Sequence, residues 1–475
     1  MALIENKASF IEKLSNIAKS NDPIDQSLYQ KYDVKRGLRY SDGRGVLVGL
    51  TRIGDVIGYE TGADGKTVAV PGRLIYRGYD VLDIVKDCER EKKFGFEEVV
   101  YLLLFGELPT REQLDEFSSY MGAERVLPNN FMEDMILKAP SGDIMNKLAR
   151  GVLASYSYDS DPENRSIPNV LRQCVELIAR FPTLVAYAYQ AKRRYYEEKS
   201  MYVHNPDPNL STAENFLRLI RPNKEYTRLE AELLDLSLVV HAEHGGGNNS
   251  AFTVHVVSSS DTDTYSAIGA AVGSLKGRRH GGANIKVMEM MDEMRANIDD
   301  WGNEKKVADY LRKIATKQAF DRTGLIYGQG HAVYTISDPR AILLRDKAKK
   351  LAHENGRDDE FNLYTLVEKL APKILAEVHG DSKKICTNFD FYSGFVYSLL
   401  NIPRDLFTPL FAISRISGWS AHRIEEIVSG KRIYRPAYKS VSGLREYIPM
   451  KDRVAHSNSA LLKNDDEVSS AGPTD

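Results

Sequence analysis

Apolar residues along this chain recur mostly at three- and four-residue spacing, and one stretch breaks that rhythm. Residues 5–20 place Ile11, Leu14 and Ile17 on one stripe, which predicts a short amphipathic helix. Residues 45–76 are instead rich in Val, Ile, Thr and Gly in short apolar pieces, which predicts small β-hairpins. Phe96–Phe105 then reads as a helix stopped by Gly106 and Pro109. Segments 143–157, 168–199 and 226–243 read as helices, with Pro182 predicting a break or kink in the second. Residues 200–212 read as a loop. Later helices are expected at 285–297, 303–318, 339–354, 361–379, 390–400, 405–417 and 419–428. Strands do not alternate with helices, so a doubly wound parallel sheet is not supported. The pattern gives a mainly α fold with a small β element near the N-terminus, and a mobile polar tail over 452–475.

Composition narrows the function classes. A length of 475 residues suggests roughly two to four folding units. Lys plus Arg is 64 and Asp plus Glu is 66, a balance that argues against a coat for nucleic acid or an anionic membrane. The longest clean apolar run, 99–105, is far short of the ~20 residues a membrane span needs. Cys88, Cys174 and Cys386 form no CxxC pair, so neither a zinc ribbon nor a disulfide framework is expected. Glu5 and Glu12 fit neither a secretory signal nor a transit peptide, and the expected location is the cytoplasm.

Four segments carry candidate chemistry. HAEHGGGNNS (241–250) ends a helix and sets His241 and His244 three apart on one face. A metal site is one reading, and a structural or capping role is the other; the spacing is not that of the HExxH zinc motif. LKGRRHGGAN (275–284) surrounds His280 with Lys276, Arg278 and Arg279, cations that lower an imidazole pKa and keep it a neutral hydrogen-bond donor. A basic loop feeding a helix near Ile285 is the plain alternative. YGQGHAVYTISDPR (327–340) presents His331 after Gly328 and Gly330, whose backbone could meet an anion. Arg340 there could fork onto a carboxylate or be a solvated charge at an Asp-Pro helix start. TNFDFYSG (387–394) sets Asp390 among aromatic residues, where apolar surroundings raise a carboxyl pKa toward that of a general base. The alternative is that Asp390 caps a helix starting at Phe391. Arg415 and Arg435, singly, read as surface charges.

Taken together, His244, His280, His331, Arg340, Asp390, Arg415 and Arg435 occur in the order of the functional positions of the citrate synthase family, which this sequence resembles. GRLIYRGYD (72–80), FEEVVYLLLFGELPT (96–110) and GWSAHRIEE (418–426) add to the resemblance, which runs from about residue 70 to 440. It implies a two-domain, mainly helical homodimer: a large domain from 1–284 and 393–451, a small domain from 285–392, and the active site in the cleft between them. It implies condensation of acetyl-CoA with oxaloacetate and water to citrate and CoA, without a further cofactor or a metal. His280, His331 and Asp390 match the catalytic positions, and His244, Arg340, Arg415 and Arg435 the oxaloacetate contacts. Arg435 would reach across the dimer interface. Gly328, Gly330, Ala332 and Val333 match the main-chain contacts to CoA.

The chain departs from the family pattern in places. Thr335 follows Tyr334 where many relatives carry a basic residue, so the CoA phosphates fall to other basic residues such as Lys383 or Lys384. Ala437 stands where a second Arg is frequent, and GGGNNS is glycine-rich for its position. A 2-methylcitrate synthase acting on propionyl-CoA is the alternative within the family, since one methylene in a pocket is worth only ~1–3 kcal/mol. Outside it stand a metal hydrolase built on His241, His244 and His280, and a non-catalytic helical scaffold.

Overall fold

The computed structural model describes residues 7–21, 23–41, 44–62, 66–380 and 385–453. Two compact units make up the chain, Met1–Ile433 and Tyr434–Asp475. Among the described residues, seventeen α-helices lie in the first unit beside one three-stranded antiparallel sheet, so the mainly α expectation holds. None of these helices is long and apolar enough to cross a membrane.

The sheet consists of β1 (Gly54–Thr61), β2 (Thr67–Tyr76) and β3 (Tyr79–Asp80), in that order. The strand signature over 45–76 thus resolves into one hairpin with a short third strand, while 45–53 runs outside any strand. A register shift between Ile57 and Tyr59 falls at Gly58, whose missing side chain lets β1 lie on residue 333. A Cβ there would sit 2.5 Å from the Val333 carbonyl oxygen. On β2, the Gly72 amide donates to the Ser337 carbonyl at 3.2 Å, and a Cβ would meet that oxygen at 2.2 Å. The hairpin is therefore bolted to the segment 331–337 by close backbone approach, which only glycine permits.

Several helix boundaries differ from the sequence reading. Ile167–Tyr196 is a single helix through Pro182. The proline removes one amide donor, and burial from Phe181 to Ala191 holds the helix regardless. Segments 405–417 and 419–428 are one helix, Phe407–Ser429. Gly418 does not break it but makes room for a neighbour: its amide donates to the Ala242 carbonyl at 3.2 Å, and a Cβ would lie 2.3 Å from Glu243 Oε2. Val81–Glu91, Arg111–Ala123, Thr212–Ile220, Asn249–Ser258 and Thr264–Lys276 are helices that periodicity did not separate. The last is half small residues and buried on several sides, so its apolar stripe carries no clear period. The helix expected at 303–318 starts at an Asn303 cap and ends at Ala315. The N-terminal helix, Lys7–Asn21, exposes Ile11, Leu14 and Ile17 to solvent. Most of the tail expected to be mobile, 454–475, lies outside the described residues.

Candidate active site

His244, His280 and His331 line one cavity of 860 Å³ with Ala332 and Val333, and residues from 37–39 and 45–56 form part of its wall. His244 follows the C-terminus of the helix Arg228–His241, whose end is capped at Ala242. Its ring meets that of His331 edge to face, with centroids 5.2 Å apart. Its Nε2 is buried without a hydrogen-bond partner. Burial first, and then the Arg340 charge, hold His244 well below the usual histidine pKa, so its ring is neutral.

His331 has a defined proton position. The amides of Val333 and Tyr334 both donate to its Nδ1 at 3.1 Å. Nδ1 is therefore an acceptor, and the neutral ring carries its proton on Nε2. Burial and Arg340 lower its pKa to about 4. The ring stacks on Tyr334 at 4.6 Å, which fixes its plane.

His280 lies between Lys276 and the helix Ala283–Asn297. Its Nε2 is 3.0 Å from Ser250 Oγ. That hydroxyl donates to Asn248 Oδ1 at 2.9 Å and accepts from Trp419 Nε1 at 3.0 Å. The ring carries its proton on Nδ1 only when the Ser250 hydroxyl turns from Asn248 to donate to His280 Nε2. Burial and then Arg415 lower the His280 pKa to about 4.

Asp390 is not a helix cap. The helix Phe389–Leu399 starts earlier than expected, and Asn388 caps it by accepting from the Asp390 amide. The Asp390 carboxyl is thereby left free, with no hydrogen bond to a described residue. Burial pushes its pKa up to about 6, against the opposing pull of Arg340. Asn388 also ties this turn to the glycine segment: its amide donates to the Gly328 carbonyl at 2.9 Å, and its side chain to the Gly330 carbonyl at 2.8 Å. Gly328 sits at φ +82° against Phe391, where a Cβ would come within 2.7 Å of the ring.

The arginines differ. Arg340 is buried rather than solvated; its Nε and Nη2 bond Asp338 at 3.0 and 2.8 Å. Arg415 is buried and gives only its Nε, to the His241 carbonyl at 2.7 Å. Its Nη1 and Nη2 are buried and unpartnered, which leaves the planar fork open for a carboxylate. Arg435 belongs to the second unit and is exposed within it. Lys383 and Lys384 lie outside the described residues.

His241 has a structural place: its ring is wedged between Phe389 and Phe411, with centroids 3.8 and 4.1 Å away. Among the described residues, the one group spaced to hold a metal is His255, His422 and Glu425, not His241, His244 and His280. His255 and His422 belong to a buried chain, continued by Glu426 and Glu243, that sequence reasoning missed. His255 Nδ1 meets Glu426 at 2.7 Å, His255 Nε2 meets His422 Nδ1 at 3.0 Å, and His422 Nε2 meets Glu243 Oε1 at 3.1 Å. Glu243 precedes His244, so this chain anchors the loop that carries it. Ser250, Tyr334, Asp338 and Asn388 were likewise not singled out, because each acts through a neighbour's geometry rather than a motif.

The chemistry of this array is a carboxyl poised near neutrality, two histidines held neutral as donors, and a buried guanidinium fork open to an anion. Residues 38–437 match the family model described as citrate synthase, C-terminal domain. The citrate synthase of Synechocystis sp. is 34% identical over 402 residues, covering 83% of this chain and 91% of the relative. The 2-methylcitrate synthase 1 of Corynebacterium glutamicum is 35% identical over 394 residues, 82% of this chain and 94% of its own. The crystal structure of citrate synthase from Pyrobaculum aerophilum aligns with a TM-score of 0.71 at 29% identity, over 88% of this chain and 95% of that one. A ternary complex of the Thermoplasma acidophilum citrate synthase with carboxymethyl coenzyme A and oxaloacetate aligns with a TM-score of 0.71 at 25% identity, over 87% and 100%.

Proposed function

This chain belongs to the citrate synthase family, and from that premise we propose that it condenses acetyl-CoA with oxaloacetate and water to give citrate and free CoA. The observation that carries the reading is Asp390, a half-buried carboxyl with no hydrogen bond to a described residue, raised to about 6 beside two arginines. A thioester methyl is a weak carbon acid, so its proton must leave to a base while the carbonyl oxygen is stabilised. Asp390 takes the methyl proton. His280 donates a hydrogen bond to the developing enol oxygen. The enol carbon attacks the oxaloacetate ketone, and the Nε2 proton of His331 meets the oxygen that becomes alkoxide. Water then cleaves the citryl thioester, releasing citrate and the CoA thiol.

Arg415, Arg340 and His244 receive the oxaloacetate carboxylates; the open fork of Arg415 supports this assignment most directly. Gly328, Gly330, Ala332 and Val333 form the main-chain face toward CoA. Residues 285–392 act as the small domain, closing over oxaloacetate against the large domain of 1–284 and 393–451. The enzyme works in the cytoplasm as a homodimer in which Arg435 completes the partner's site. Apolar side chains left in solvent, among them Ile11, Leu14, Leu47 and Leu50, support a subunit interface.

Propionyl-CoA is the second reading of the acyl group, supported by 2-methylcitrate synthases among the relatives. The test is release of free thiol from purified protein with oxaloacetate and either thioester. Oxaloacetate-dependent release with the higher kcat/KM for acetyl-CoA supports the proposal. A higher value for propionyl-CoA moves the reaction to 2-methylcitrate, and no release from folded protein overturns both.

A further inference from the structure

A second cleft, of 1080 Å³, shares the His280 loop with the first, and Arg279 lines both. Its wall also includes Leu325 and Tyr327, which lead directly into the Gly328–Gly330 turn. The cleft thus borders both the histidine loop and the glycine turn assigned above to the thioester. Its charges are unbalanced. Lys276 is paired with Asp143 at 2.9 Å, Lys286 with Glu289 at 2.6 Å, and Arg404 with Asp292. Asp405 is paired with Lys192. Arg278 and Arg279 are left: both are exposed, and neither forms an ion pair or hydrogen bond with a described residue. Two adjacent guanidinium groups beside a catalytic loop, with no internal partner, form a site for a multiply charged anion.

We infer that Arg278 and Arg279 form the phosphate-recognition subsite for the nucleotide end of the CoA thioester. The inference rests on the condensation reading above and adds to it the residues that hold the phosphates. The Thr335 position cannot serve, because it is buried and presents only a hydroxyl. Placing the phosphate contacts one and two residues before His280 also links substrate binding to catalysis. A phosphate held by this loop fixes the loop itself, and with it the imidazole that must meet the thioester oxygen.

The experiment compares acetyl-CoA, acetyl-dephospho-CoA and acetyl-pantetheine in wild type, Arg278→Ala, Arg279→Ala and the double variant. Wild type is expected to prefer acetyl-CoA over acetyl-pantetheine in kcat/KM. The double variant is expected to lose at least about tenfold of that preference, the worth of one charge-assisted hydrogen bond. Arg→Lys at both positions is expected to recover part of it, and the rise of the acetyl-CoA KM with salt should flatten in the double alanine variant. A preference equal to wild type in the double variant overturns the inference while leaving condensation intact. ATP competition that weakens in the variant, with the thioester preference unchanged, also overturns it and points to a free nucleotide. Failure of wild type to release thiol at all is a different result, and strikes the condensation reading instead.

Discussion

Asp390 owes its chemistry to the residue two places before it. Asn388 takes the capping role, so the carboxyl is left half-buried and without a hydrogen bond to a described residue, and desolvation raises its pKa to about 6. His280 and His331 lie near 4 and do not titrate between pH 5 and 8. The acid limb of kcat/KM is therefore expected to follow one group near pH 6, with activity falling as pH drops and Asp390 protonates; a flat profile down to pH 5 would remove it as the base. Asp390→Asn should lower kcat by ~10²–10⁴. The same substitution should raise stability at pH 7. The native pKa lies above the unfolded one, so the native state binds the extra proton between about pH 4 and 6, and wild-type stability declines as pH rises through that window. Removing the buried charge should recover roughly 1–3 kcal/mol at pH 7 and nothing at pH 4, measured by thermal unfolding at both. At this scale the sequence already named His244, His280, His331, Arg340, Asp390 and Arg415. It did not reveal that Arg340 is partly held by Asp338 while Arg415 keeps two free Nη groups, because hydrogen-bond partners come from other parts of the chain.

Contacts between elements decide how well those residues are held. The helix Phe407–Ser429 crosses the end of Arg228–His241 at Gly418, and it brings His422 and Glu426 to the chain that ends on Glu243. Gly418→Ala should force a methyl against Glu243 and cost about 1–3 kcal/mol, seen as a lower Tm. His422→Ala should cost more, on the order of 3–5 kcal/mol, because it strips a buried carboxylate of its partner; a Tm within a degree of wild type would contradict this. Asp235 does similar work elsewhere. It accepts from the Gly95 and Phe96 amides at 2.7 and 3.2 Å and so docks the start of Phe96–Phe105. Periodicity located the long helices but divided Phe407–Ser429 at Gly418, and of the break or kink expected at Pro182 the break does not occur. Both departures have one source. Glycine and proline weaken a helix locally, while burial against neighbours, invisible in a local window, restores it.

At the scale of the molecule, the proposal that Arg435 serves the partner's site predicts a defined signature. Arg435→Ala should raise the oxaloacetate KM by about tenfold or more with the dimer retained, since a charge-assisted hydrogen bond to a carboxylate is lost. Sedimentation should show a dimer in wild type and variant alike; an unchanged KM would deny the clamp role. What the sequence determined by itself was the helical class, the small β element near the N-terminus and the choice of candidate site residues, because these depend on local propensity and on residue types in a fixed order. What only the tertiary structure decided was which polar atoms remain free. The Asp390 carboxyl, the Nε2 proton of His331, the fork of Arg415 and the unpaired Arg278 and Arg279 become chemically available because the folded backbone gives the groups around them other partners, some near in sequence, as Asn388 and Val333 are, and some distant. Reactivity here follows from unmet hydrogen bonds and buried charge, and those are properties of packing.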